Sequence, residues 1–98
     1  MLVKIHKSIN GIVVAICDNE LIDKKFEQGK LQLDLTTDFY NGGEKSEEEA
    51  KEILKKSYIV NLVGKKAVDF GLKNKIINKE NIKKIAKIPF CQCLIAQT

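Results

Sequence analysis

Tyr58 to Phe90 reads YIVNLVGKKAVDFGLKNKIINKENIKKIAKIPF, and this stretch decides how the rest of the chain must fold. Tyr58–Val63 is apolar apart from Asn61, the pattern of a buried strand. Gly64 permits a tight turn. Val63, Ala67 and Phe70, widened by Val68 and Leu72, form an apolar stripe at helical spacing, so a helix is predicted over Lys65–Lys73. Asn78 is placed to cap a second helix over Lys79–Lys87, with Ile82, Ile85 and Ala86 inward. Pro89 ends it, because the residue before a proline is pushed out of the helical region. Phe90–Ala96 is the expected last strand. A strand–helix–helix–strand order can close a right-handed crossover with its two strands parallel.

The N-terminal half supplies the other strands. Val3 and Ile5 alternate with Lys4 and His6, as in a half-buried strand with His6 on its polar face. Asn10-Gly11 favours a tight turn, and Gly11–Cys17, GIVVAIC, reads as a buried strand, so a hairpin is expected. Glu20–Lys30, ELIDKKFEQGK, reads as a turn or short helix carrying Leu21, Ile22 and Phe26 into the core. In LQLDL, Leu31, Leu33 and Leu35 point inward from a third strand. Ser46 followed by Glu49 is a capping box, opening a helix whose Ala50, Ile53, Leu54 and Ser57 share a face. The fold class is α+β or α/β: a mixed sheet of about five strands with two or three helices, in one domain over residues 1–98.

All seventeen basic residues are lysines. Residues 65–98 hold eight of them against Asp69 and Glu80, while residues 1–64 hold nine against eleven acids. Three cysteines, Cys17, Cys91 and Cys93, are an odd number, which argues against a disulfide framework. With His6 the only histidine, they fall short of the set that a zinc site needs, so no metal or cofactor is expected. No apolar run reaches the ~18–20 residues that span a bilayer, and no signal-peptide pattern opens the chain, so the expectation is a cytoplasmic protein without membrane contact.

Several blocks together resemble the small archaeal proteins grouped as domain of unknown function 424. They are Cys17–Ile22, Lys25–Glu27, Phe39–Gly42, Asn61–Gly64, Ala67-Val68 and Ile88–Gln92, and they cover nearly the whole chain. The resemblance implies a cytoplasmic protein and brings no activity with it. Phe90 stands where the resemblance implies a histidine.

Three functions follow from these residues. The basic C-terminal half, without a catalytic constellation, favours a non-enzymatic binding module for RNA or a ribonucleoprotein. The alternative is a small-ligand-binding protein or enzyme with an anion site at the Gly64-Lys65 helix start, where free N–H groups and Lys65 and Lys66 would face the ligand. Asn61 at the strand end, Asp18 and Glu20 in one loop, and Tyr40 and Gly42 in another would be its other walls. The third is a homodimer through the last strand, Cys91–Gln97, which carries no charge to guard an edge.

Overall fold

The apolar runs Gly11–Cys17 and Ser57–Val63 become neighbouring parallel strands at the centre of a six-stranded sheet. The structure, a computed structural model, describes residues 1–95. In chain order the elements are β1 (Leu2–Ser8), β2 (Gly11–Cys17), β3 (Lys25–Gln28), β4 (Leu31–Asp34), β5 (Gly43–Glu44), α1 (Glu47–Leu54), β6 (Ser57–Val63), α2 (Lys65–Lys73), β7 (Lys83–Ile85) and β8 (Ile88–Leu94). Short 3-10 turns lie at Asn19–Leu21 and Lys79–Asn81. The large sheet has the order β5-β1-β2-β6-β8-β7, and β3 with β4 forms a small antiparallel ribbon.

Local rules placed several elements where the residues predicted them. The β1–β2 hairpin pairs Ser8 with Gly11. Ser46 and Glu49 close the capping box of α1: Glu49 N–H donates to Ser46 Oγ at 3.1 Å, and Ser46 N–H to Glu49 Oε1 at 3.0 Å. Helix α2 starts after Gly64 and ends at Lys73.

The region after Asn78 differs from the expectation. No second helix forms over Lys79–Lys87. Asn78 does donate to Asn81 Oδ1 at 3.1 Å, but the cap closes only a 3-10 turn. The chain then straightens into β7, turns through Ala86-Lys87 and returns as β8, with Ile85 paired to Ile88. Strand β7 runs in the sense of β6, and the turn sends β8 back against it, so β6 and β8 are antiparallel, from Val63↔Phe90 to Ile59↔Leu94. The parallel pair is therefore β2 with β6. The last strand begins at Ile88 rather than Phe90, and Ala96 lies outside the described residues.

Alternation along the strands builds two cores. On the helix side, Val3, Val14, Ile16, Val60, Leu62 and Cys91 pack under Ala50 and Leu54 of α1 and Ala67 and Phe70 of α2. On the other side, Cys17, Val63 and Ile85 meet Leu21, Leu33 and Leu35. Three inward expectations fail. Ile5, midway along β1, is 47% exposed, Leu31 is 58% exposed at the tip of the β3–β4 ribbon, and Ala86 is exposed in the turn before β8. The Phe26 segment is β3, half-buried against the second core rather than helical.

Candidate functional site

Strands β2 and β6 end side by side, and the chain leaves them in opposite directions. After Cys17 it passes to the β3–β4 side of the sheet; after Val63 it enters α2 on the other. In open α/β sheets such a divergence at the carboxyl ends of parallel strands makes the crevice that takes ligands. Here Asp18 fills it. Its side chain is 2% exposed and accepts from Lys66 N–H at 3.0 Å (Oδ2) and Ala67 N–H at 2.8 Å (Oδ1). Its own N–H donates to Val63 O at 3.0 Å, tying the two strand ends together. The anion to which the start of α2 is suited is thus a carboxylate of the chain itself.

Gly64 is required by this arrangement for two reasons. Its φ of 107° lies where side chains are disfavoured, and a Cβ there would collide with Asp18 Cγ and Oδ2. Cys17, the neighbour of Asp18, has its thiol pushed up to about 12 by burial first, then by the carboxylates of Asp18 and Glu20. It is an inert apolar residue of the second core.

The other predicted site residues are dispersed. Glu20 is exposed on its 3-10 turn. Tyr40 is half-buried against the second core, edge-on to Phe39 at 5.0 Å between ring centroids, and burial raises its hydroxyl to about 12. Phe39 in turn stacks flat on His6 at 4.4 Å, and His6 Nε2–H donates to Phe39 O at 2.9 Å. That contact makes His6 a seat for the loop rather than a free surface residue. Gly42 lies so close to β1 that a Cβ would overlap the Val3 carbonyl. Asn61 is half-buried in β6, between Ala15 of β2 and Gln92 of β8. Asp18, Gly64 and the backbone of Lys66 do converge, but on each other.

The side chains of Lys65 and Lys66 part company on α2. Lys66 lines a recess with Met1, Glu47, Asp69, Phe70 and Lys73. Nearby, Glu44 is held below the usual carboxylate range by Asn19 and the N-terminal ammonium, which lies 3.1 Å from it. Lys65 instead opens a second recess of about 390 Å³ between α2 and the β7–β8 hairpin. The helix contributes Lys65, Val68, Asp69 and Leu72, and the hairpin contributes Ile82, Lys84, Lys87 and Pro89. Reading residues 79–87 as helix hid this second wall. No local signal marked it, since Asn81-Ile82-Lys83-Lys84-Ile85 has no strand alternation and the Ala86-Lys87 turn carries no glycine or asparagine.

The sequence profile described as "Protein of unknown function (DUF424)" matches residues 6–95. The chain belongs to the DUF424 family. The DUF424 fold recurs in the crystal structure of an uncharacterized conserved protein from Methanopyrus kandleri, with a TM-score of 0.81 at 21% identity, covering 99% of this chain and 92% of that one. At that identity the likeness is one of fold. No curated protein matches the chain. Among the described residues of this DUF424 chain no group of histidine, cysteine and acidic side chains is placed to hold a metal ion, and no helix is long and apolar enough to cross a membrane.

Proposed function

We propose that this DUF424 protein is a non-enzymatic cytoplasmic module that binds RNA, free or within a ribonucleoprotein, through the lysines of residues 65–87. One observation carries the reading. Of the eight lysines in that segment, only Lys73 is ion-paired among the described residues, to Glu47 at 2.8 Å. The first half of the chain differs: Lys25, Lys51 and Lys55 each have a glutamate within 4 Å. Unpaired ammoniums on one segment attract phosphate by releasing its counterions. Lysine is a mobile point charge without the planar fork of arginine, so the binding is to backbone rather than to base edges.

The test is fluorescence anisotropy with two short labelled RNAs of unrelated sequence. Similar affinity for both is expected, falling steeply between about 50 and 200 mM salt. No binding at the lower salt, or binding indifferent to salt, would overturn the reading. The alternative, a small anion held at the Gly64-Lys65 helix start, is disfavoured because Asp18 takes the Lys66 and Ala67 amides.

Pairing of two copies through the last strand is a separate proposal. The Pro89 carbonyl and the Ile95 amide bond toward the β6 side, so alternation turns the amides of Gln92 and Leu94 outward, past the end of β7. Leu94 is 65% exposed there, and Gln97 of the expected seam lies outside the described residues. Sedimentation across a hundredfold range of concentration should show a mass that rises toward the dimer; a constant monomer mass removes the proposal.

A further inference from the structure

We infer that the recess between α2 and the β7–β8 hairpin is the seat of a single-stranded nucleic acid segment, and that the Ala86-Lys87 turn is held in an unfavourable conformation to complete it. The inference rests on the RNA reading above and assigns it a place. Three lysines line it from three elements: Lys65 from α2, Lys84 from β7 and Lys87 from the turn. None of the three is ion-paired among the described residues, although Asp69 lines the same recess. The floor between them is apolar, made by Val68, Leu72, Ile82 and Pro89.

That combination selects among polyanions. A duplex keeps its base faces stacked inward and would offer the apolar floor only phosphate. A single strand can set phosphates on the lysine rim while a ribose and a base face cover the floor. An acidic peptide would satisfy the rim but brings no such flat apolar face.

The turn is the second observation. Ala86 and Lys87 have φ values of 50° and 69°, both left-handed. Two-residue hairpin turns of this type favour Asn-Gly, and here neither residue is suited to it. The conformation is over-determined from outside. Ala86 N–H donates to Gln28 Oε1 at 2.7 Å, and Ile85, 4% exposed, is anchored in the second core. Strain maintained in this way marks sites where presentation of a side chain matters. The side chain presented is Lys87, into the recess shared with Lys65 and Lys84.

The test compares variants by anisotropy against labelled single-stranded RNA, the same strand as DNA, duplex RNA and polyglutamate. The charge change in Lys84→Glu with Lys87→Glu should weaken single-strand binding roughly tenfold or more, while the same change at Lys75 and Lys79, outside the recess, should cost under about threefold. Ala86→Asn with Lys87→Gly should raise the melting temperature and still lose affinity, whereas Ala86→Asn alone should raise it and keep affinity. RNA and DNA strands should bind alike, because the contacts assigned are to phosphate, sugar and base faces. If no RNA binds at all, the functional reading falls and the recess with it. If RNA binds but both charge-reversal pairs weaken it equally, or duplex or polyglutamate binds as well as the single strand, or RNA far outbinds DNA, the seat is wrongly assigned while the RNA reading stands.

Discussion

Replacing Asp18 by alanine should be among the most damaging single changes available in this protein. Two N–H groups lose their acceptor, those of Lys66 at 3.0 Å and Ala67 at 2.8 Å. The Ala67 amide is buried and would be stranded, at a cost of about 1–3 kcal/mol. The Lys66 amide is closer to solvent, so its loss resembles removal of a helix cap, about 0.5–1 kcal/mol. Loss of a negative charge at the start of α2 adds about 0.3–1 kcal/mol. Together these give roughly 2–5 kcal/mol, or about 10–25 °C in melting temperature for a chain of this size. Asp18→Asn keeps one acceptor and turns an amide N–H₂ toward the other donor, so it should fall between the two. Gly64→Ala tests the geometry from the other side, since its Cβ would collide with the Asp18 carboxylate. In a double-mutant cycle, Asp18→Ala removes the overlap with Cγ and Oδ2 and leaves only the milder one with the residue-18 Cβ, so the combined cost should fall below the sum of the single costs by about 1 kcal/mol or more. The assay is thermal and urea unfolding by circular dichroism. An Asp18→Ala penalty under about 0.5 kcal/mol, typical of a surface site, would refute the reasoning, as would strict additivity in the cycle.

Further outcomes follow from other contacts. Ser46→Ala removes the Oγ that accepts from Glu49 N–H, leaves the Ser46 N–H bond to Glu49 Oε1 in place, and should cost about 1 kcal/mol in urea unfolding; no change would mean that the side-chain cap forms without stabilising. Gly42→Ala drives a Cβ into the Val3 carbonyl and should cost about 1–3 kcal/mol, whereas Gly43→Ala meets nothing and should be far milder. Cys17 and Tyr40 both hold their protons to about pH 12 in the fold, above their ordinary values of 9.0 and 10.0. The unfolded chain therefore releases protons first as pH rises through 9 to 12, and stability should decline over that window. Cys17→Ala with Tyr40→Phe should flatten the decline; an unchanged slope would assign it elsewhere. In thiol labelling of the native protein at mildly alkaline pH, half-exposed Cys93 should react before buried Cys17 and Cys91, read by mass mapping.

What the sequence made legible was what short-range chemistry controls. Ser46 and Glu49, Gly64 before α2, and the Asn10-Gly11 turn each act within a few residues, and their elements form where those residues place them. The stretch Ile82–Ile88 misleads for a physical reason. Isoleucines at 82, 85 and 88 fit a helical stripe as well as they fit two strands. The turn that decides between them is Ala86-Lys87, which has no preference for left-handed backbone. Only distant residues settle it, through Gln28 and the packing of Ile85 on the β3–β4 side. The partner of β6 was equally out of reach, since nothing between residues 18 and 57 announces that β2 will lie beside it. Asp18 read as a pocket wall because an acid at a strand end is ambiguous. Its partners, the amides of Lys66 and Ala67, lie 48 and 49 residues away.

The carboxylate of Asp18 acts as a built-in plug. The crevice that other open sheets leave for a ligand is stoppered here by a single side chain, held by nothing covalent beyond its own residue. Truncating that side chain to glycine would uncork a cavity lined by two inward N–H groups, shaped to a carboxylate. Small free carboxylates such as formate or acetate should then restore stability to the truncated protein and leave the parent untouched. In this architecture one substitution separates a sealed scaffold from an anion receptor.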